Sequence, residues 1–200
     1  MTKHVYISAD YDPGNGDRAV AAQLQKWGSD NLHGTDFIDM AEVVSGSVTK
    51  TDPDCRACNL KAEFNRQINA SSAVVIIVGD KTADRSAGSD CPRARMSWSS
   101  SSCTPYKGNF GGRKSCRKVS QPNSGPDVCE VNEYSYLRHE FEQAKARNKK
   151  LIVVYNALNK QVGWLPPYLR GYEQQAIPFW KRDWNGNIVG NYEAIKKALA

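Results

Sequence analysis

The chain contains 200 residues, of which 40% are apolar and 24% are charged, and its formal net charge is +6. This length and apolar content predict one globular domain with a packed core. No apolar run reaches the roughly 18 residues that a membrane span requires, and residues 1–4 lead directly into a strand pattern instead of a signal peptide. The sequence therefore predicts a cytoplasmic protein without a membrane segment.

The first predicted elements are a strand and an amphipathic helix. Residues 4–8 alternate apolar and polar side chains as a strand does, and residues 10–16 are rich in Asp and Gly, which predicts a loop. Asp17 is the predicted N-cap of the helix that follows, and Gly28 is its predicted end. The apolar residues of this helix recur at i, i+4 and i+7, at Val20, Leu24 and Trp27.

A second strand and helix precede a wholly apolar strand. Residues 37–40 predict a short strand, and residues 41–53 have no periodicity. Helical spacing returns in the next segment at Leu60, Phe64 and Ile68. The run Ala73–Val78 is apolar on both faces, which is typical of a central strand in a parallel sheet that helices cover on both sides.

Residues 84–130 are predicted to be an irregular insertion, because hydrophobic periodicity is lost there among Ser, Gly, Pro and Arg residues. This segment has eight Lys or Arg and four Asp or Glu residues, so it carries +4 of the net charge of +6. A basic segment can attract nucleotides, polyphosphates or nucleic acid, but a solvated basic loop explains the same charge. We do not expect nucleic-acid binding.

The third predicted helix carries Glu140, the most informative side chain of the chain. Asn132 is its predicted cap, and its apolar stripe consists of Leu137, Phe141 and Ala144. Glu140 lies about 60° from Leu137 around the helix, which predicts a half-buried carboxylate at the edge of the stripe. A carboxylate there can stabilise a developing cation in a cleft of low dielectric. The alternative is a boundary glutamate that extends its stem into water.

The chain closes with two strands and a helix. Residues 151–155 and 177–180 are the predicted strands, and the apolar residues of the final helix are Tyr192, Ile195 and Leu199. The alternation of strand and helix predicts an α/β fold with a flavodoxin-like parallel sheet and helices on both faces. Because ligands bind beyond the carboxyl ends of such strands, the loops at 8–16, at 39–58 and from 79 onward are expected to surround the site.

Four segments together resemble one known family. They are HVYISADYD at residues 4–12, VVIIVGDKT at residues 74–82, YLRHEFEQAKA at residues 136–146 and IPFW at residues 177–180. Residues 3–83 and 131–200 are similar to the TIR-like domain family, in particular to the TIR-like proteins of the Thoeris antiphage defence systems. The chain is thus expected to be a single TIR-like domain over residues 1–200, with the insertion outside the resemblance.

The resemblance implies an enzyme that consumes NAD+. TIR domains of this kind cleave the bond between nicotinamide and ribose, and the Thoeris members make a cyclic or conjugated ADP-ribose signal that activates a separate effector. In this family an aromatic residue, usually Trp, precedes the catalytic glutamate by four positions, and a second Trp often stands just before the glutamate. Here Tyr136 and His139 occupy these positions, so the resemblance assigns Glu140 as the catalytic carboxylate and Tyr136 as its support. His139 is expected to face solvent or a partner.

The predicted contacts to the dinucleotide lie after the strands of the sheet. Ser8, Asp10 and Tyr11 follow the first strand, where backbone groups and the helix start can receive a diphosphate and Tyr11 can stack on a base. Asp39 follows the second strand and Lys81 the third. The alternatives are a turn-forming side chain for Asp10, an exposed loop aromatic for Tyr11 and a solvated lysine for Lys81.

Six cysteines offer either a metal site or crosslinks. Cys55 and Cys58 have the C-x-x-C spacing of half a zinc site. The others follow at intervals of 12 or 13 residues, at Cys91, Cys103, Cys116 and Cys129. An insertion without hydrophobic periodicity needs some crosslink or docking surface to be held in place, so structural zinc, disulfides and reduced thiols all remain open.

Two other functions remain open beside the NAD+-cleaving enzyme. The first is a TIR-like scaffold that signals through protein contacts, with the insertion as its docking surface. The second is a nucleoside-bond transferase that acts on other nucleotides. The enzyme is favoured because the position of Glu140 and the strand order agree with the site of the family. Its expected partners are NAD+, further copies of the chain on activation, and an effector that is reached through the nucleotide signal.

Overall fold

The computed structural model describes residues 3–10, 16–30, 35–39, 56–87, 102–107, 113–115 and 131–200. Within these ranges the strands are β1 (Lys3–Ser8), β2 (Thr35–Asp39), β3 (Ala73–Val78), β4 (Ser102–Lys107), β5 (Arg113–Ser115), β6 (Lys150–Tyr155), β7 (Ile177–Pro178), β8 (Trp180–Arg182) and β9 (Ile188–Gly190). The helices are α1 (Asp17–Ser29), α2 (Arg56–Ala70), α3 (Tyr136–Ala146) and α4 (Tyr192–Leu199).

Five of these strands form one sheet in the order β2-β1-β3-β6-β7, and every neighbouring pair is parallel. The predicted α/β fold with a parallel sheet is confirmed. From β1 the chain first adds β2 on one side and then returns to add β3 on the other. The strand order therefore reverses between β1 and β3, which is where α/β sheets open a crevice for ligands.

Helices cover both faces of the sheet, because the side chains of each strand alternate between two apolar clusters. Val5 and Ile7 of β1 face the cluster that includes the buried residues of α1 and α4. Tyr6 of the same strand faces the cluster of α2 and α3. The central strand β3 is buried along its whole length, which explains why its sequence is apolar on both faces.

The starts of two helices differ from the sequence prediction. Gly16, with φ of 56°, is the N-cap of α1, and Asp17 is the first helical residue instead of the cap. This left-handed backbone conformation suits Gly because it has no Cβ. Ser135 caps α3 through its hydroxyl, which accepts a hydrogen bond from the Arg138 amide at 3.2 Å, so the prediction of Asn132 as the cap was wrong. Both corrections move the cap to the residue directly before the helix.

Part of the predicted insertion is regular. Strands β4 and β5 pair antiparallel with a shift of register between Cys103 and Lys107. The sequence did not indicate this ribbon because the segment lacks the alternation of apolar and polar residues that marks a half-buried strand. In the part of the chain that the structure describes, no helix is long and apolar enough to cross a membrane.

Candidate active site

Glu140 lies on α3 against the polar end of strand β1, and its side chain is completely buried. The Tyr6 hydroxyl donates a hydrogen bond to Oε1 of Glu140 at 3.0 Å, and the Ser8 hydroxyl donates a short hydrogen bond to Oε2. Tyr6 and Ser8 are two positions apart, so they point to the same face of the sheet, which α3 covers. These two hydroxyls fix the carboxylate at the carboxyl end of β1.

The burial of Glu140 exceeds the prediction. The helical stripe predicted a half-buried side chain, whereas Glu140 has an exposed fraction of 0%. The reason is that the covered face of β1 presents hydroxyl groups as well as apolar surface, so a carboxylate can pack inward and keep hydrogen bonds. The carboxylate therefore has the low-dielectric surroundings in which charge stabilisation is strong.

Tyr136, the predicted support of Glu140, is half-buried at the start of α3. Its ring packs edge-on against Phe64 of α2 at 5.8 Å between centroids. The Lys61 ammonium lies 5.7 Å from the centre of the same ring. These contacts attach the start of α3 to α2, and a direct role of Tyr136 at the reacting atoms stays a prediction.

His139 was expected to face solvent or a partner, whereas the structure places it inside the chain. Its side chain is buried, with an exposed fraction of 6%, and its Nε2 atom lies 2.9 Å from Oδ1 of Asn65. The cause is that α2 packs alongside α3 and covers the helix face that carries His139. The histidine is thus part of the contact between the two helices.

Lys61 is a functional candidate that the sequence pattern does not reveal. This lysine is completely buried, and its ammonium donates to the carbonyl oxygens of Val131 at 3.0 Å and of Tyr134 at 2.5 Å. A lysine within a helical segment gives no sequence signal for burial, because the same spacing fits a solvated face. Lys61 fixes the turn that leads into Ser135 and α3. It also places a buried positive charge on the same side of the sheet as Glu140.

The structure brings only some of the predicted dinucleotide contacts together. Ser8 is joined to Glu140, as described above. Asp10 is half-buried and forms an ion pair with Arg85, which follows β3. Lys81 is exposed in the turn after β3. Asp39 ends β2, but its side chain, like the whole of Tyr11, lies outside the residues whose placement is described, so both stay predictions.

A cavity of about 360 Å³ opens beside the start of α3. Its lining includes Arg85, Glu133, Ser135, Arg138, Pro167 and Tyr168, and Glu140 is not among the lining residues. Residues of the cavity and the carboxylate of Glu140 both affect the Tyr168 phenol. Burial raises the pKa of this phenol above its usual range, and the charge of Glu140 adds to the shift. Ser135 and Arg138 oppose the shift. Tyr168 therefore lines the cavity and is near enough to Glu140 for the charge of that carboxylate to act on its phenol.

A second buried carboxyl group, that of Asp17, for which the sequence predicts only a helix cap, lies on the other face of the sheet. Asp17 Oδ1 accepts a hydrogen bond from Asn156 at 2.9 Å, and the Trp180 indole donates to Oδ1 of Asn156 at 2.7 Å. A Cβ atom added to Gly79 would lie 2.6 Å from Asp17 Oδ1. Only glycine leaves room for this carboxyl group directly after β3. The sequence does not reveal the burial of Asp17, because Asp near a helix start is ordinary in any sequence.

The pKa of Asp17 makes a test of its burial possible. Burial raises this pKa from 3.8 to about 6, the Asn156 hydrogen bond opposes the shift, and Asp80 adds to it. The folded state thus binds the proton more tightly than the unfolded chain, and the free energy of unfolding falls by up to about 3 kcal/mol as pH rises through that interval. Asp17→Asn is expected to stabilise the protein by about 1–3 kcal/mol at pH 7 and by nothing at pH 3.5, because Asn can still accept from Asn156.

Urea denaturation at both pH values measures this difference. The control is the exposed Asp84, for which substitution by Asn is expected to change stability by less than about 0.5 kcal/mol at either pH. An Asp17→Asn variant that gains as much at pH 3.5 as at pH 7 would show that the charge of Asp17 is not the cause.

The cysteine hypotheses stay predictions. Cys58 is buried in a small cluster with Val131, and Ala57 and Ala62 pack against it. Among the residues with described side chains, no group of three or more His, Cys, Asp or Glu residues is arranged to hold a metal ion. This does not test a zinc site, since the side chains of the other five cysteines, Cys55, Cys91, Cys103, Cys116 and Cys129, lie outside that set.

No model of a known protein family matches this chain, and comparison with curated proteins finds no similar sequence.

Proposed function

We propose that this chain is a TIR-like enzyme with a flavodoxin-like sheet that cleaves the nicotinamide–ribose bond of NAD+, with Glu140 as the catalytic carboxylate. The observation that carries the proposal is the buried carboxylate at the carboxyl end of β1, oriented by the hydroxyls of Tyr6 and Ser8. Crevices at such strand ends are where α/β sheets bind nucleotides. The family resemblance supplies the choice of NAD+.

The chemistry needs little more than this carboxylate. Nicotinamide leaves as a neutral group, so no strong general acid is required, and positive charge develops on the ribose. A carboxylate with fixed hydrogen bonds and little water around it stabilises that charge without reorganising. Attack by water on the ribose carbon gives ADP-ribose and a proton, whereas attack by the adenine of the same molecule gives a cyclic product.

The complete burial of Glu140 bears on regulation. NAD+ can reach the carboxylate only after the groups around it move. This burial supports an enzyme that is silent at rest and becomes active when a phage trigger or self-association opens or completes the site, and the sequence supplies the expectation of a cytoplasmic location. Its product would then activate a separate effector in antiphage defence, as the resemblance to Thoeris proteins implies.

A second candidate is a TIR-like scaffold without catalysis. It is favoured by one observation, which is that both oxygens of Glu140 accept hydrogen bonds from β1, as expected for a residue that only joins α3 to the sheet. In this alternative the insertion provides the docking surface for a partner.

Release of nicotinamide from NAD+ tests the proposal. Concentrated protein purified from phage-infected cells is incubated with NAD+, beside the Glu140→Gln variant, and the products are identified by mass spectrometry. Nicotinamide release by the wild type alone is the expected result. Intact NAD+ in both samples would leave the scaffold as the function, and cleavage of deoxynucleosides without cleavage of NAD+ would assign a nucleoside-bond transferase.

A further inference from the structure

Arg138 is held in a fixed orientation at the edge of the cavity beside α3. Its guanidinium carbon lies 3.9 Å from the centre of the Tyr134 ring and 6.0 Å from that of Tyr168. The Arg138 Nε atom is buried and has no hydrogen-bond partner among the described residues. Stacking on tyrosine fixes a guanidinium but does not satisfy its N–H donors. Because the Nε atom is buried, an acceptor in the cavity would be bound by the terminal Nη groups of Arg138, which lines the cavity.

The position of Arg138 in the helix points to a negative ligand. Arg138 is in the first turn of α3, three residues after the cap Ser135. A cation there is opposed by the partial positive charge of the helix N-terminus. Within the described ranges, no ion pair joins Arg138 to a carboxylate. An anion in the cavity would be attracted by both the helix end and the arginine. Its negative charge would offset the repulsion between these two.

The other groups that line the cavity indicate which class of anion fits it. Arg85, which is ion-paired with Asp10, brings a second guanidinium, and Ser135 and Tyr168 bring hydroxyl groups to the same cavity. Two guanidiniums and two hydroxyls suit a group with three or more acceptor oxygens, as in a phosphate ester. The volume of about 360 Å³ exceeds that of a phosphate group alone. Pro167 can contact a sugar ring, and Glu133 can accept from its hydroxyls.

We propose that this cavity binds the phosphate of a nucleotide, with Arg138 as the principal contact and Arg85 as the second. The site goes beyond the proposed cleavage reaction, since Glu140 does not line the cavity. Its ligand is a phosphorylated ribose of the size of a mononucleotide. The cavity is thus a nucleotide-binding site beside the carboxylate.

Isothermal titration calorimetry with AMP and adenosine tests the site. AMP is expected to bind at least about tenfold more tightly than adenosine, because only AMP carries the phosphate. Arg138→Gln is expected to weaken AMP binding about tenfold or more and to leave adenosine unchanged. Arg138→Lys keeps the charge without the planar fork and is expected to bind AMP with intermediate affinity. This second variant preserves the test if Arg138→Gln does not fold.

The matched control is Arg147→Gln, which removes an exposed arginine at the other end of α3 and should not change AMP binding. AMP has no nicotinamide–ribose bond, so its binding is measured independently of cleavage, and failure of cleavage and failure of this site are distinguishable. Inorganic phosphate should compete with AMP but bind more weakly. Equal affinity for AMP and inorganic phosphate, equal affinity for AMP and adenosine, or unchanged AMP binding by both Arg138 variants would overturn the proposal.

Discussion

Glu140→Gln is expected to lower the rate of NAD+ cleavage by about a thousandfold or more, with the fold retained. Glutamine has nearly the same shape, and the hydroxyls of Tyr6 and Ser8 can each donate or accept. A neutral amide also avoids the cost of burying a charge, which offsets a weakening of the two hydrogen bonds. What the variant loses is the negative charge that faces the developing cation. Nicotinamide release and urea denaturation, measured on the same preparation, separate the two effects.

Tyr6→Phe and Ser8→Ala provide a graded comparison for the same prediction. Each removes one hydrogen bond that orients the carboxylate and leaves the charge in place. Each is expected to lower kcat about tenfold with KM nearly unchanged, as for positioning residues. If Glu140→Gln cleaves NAD+ at the wild-type rate, Glu140 only joins α3 to the sheet. In that case neither hydroxyl variant should alter kcat.

The strands and helices of the sheet were predictable because their side chains repeat with clear periods. Val20, Leu24 and Trp27 gave α1, and the apolar run from Ala73 gave β3, as the burial of these residues confirms. The parallel sheet followed from the alternation of the two patterns. Helix starts were less predictable, since several residues near each start, such as Asp17 and Asn132, have capping side chains and only the backbone conformation selects one.

The candidate site was only partly predictable. A helical wheel placed Glu140 beside the apolar stripe, but its burial depends on hydroxyls from Tyr6 and Ser8, more than 130 positions earlier in the chain. His139 and Lys61 were hidden for a related reason. Whether a polar residue on a helix is solvated depends on the neighbouring helix, and the contact between α2 and α3 has no local signature.

Three lysines allow the energetic effect of burial to be measured directly. Each donates from its ammonium to two backbone carbonyls, and they differ in exposure: Lys61 is buried, Lys149 is half-buried and Lys160 is exposed. Lys61→Met is expected to lower the free energy of unfolding by about 2–4 kcal/mol, because it removes the donor of two carbonyls that water reaches poorly. Lys149→Met should cost about 1 kcal/mol and Lys160→Met less than about 0.5 kcal/mol.

Removal of the buried charge of Lys61 acts in the opposite direction, because it raises the free energy of unfolding. An apolar residue in place of a buried ion removes a desolvation penalty, and such replacements can be neutral when the partner is replaced too. The carbonyls of Val131 and Tyr134 are among its partners, and they remain and lose their donor, so the loss should prevail. Urea denaturation measures the free energy of unfolding of the three variants. An equal loss in all three would contradict the expected dependence on burial. Because Tyr134 precedes the cap of α3, Lys61→Met should also lower nicotinamide release, which Lys149→Met and Lys160→Met should not.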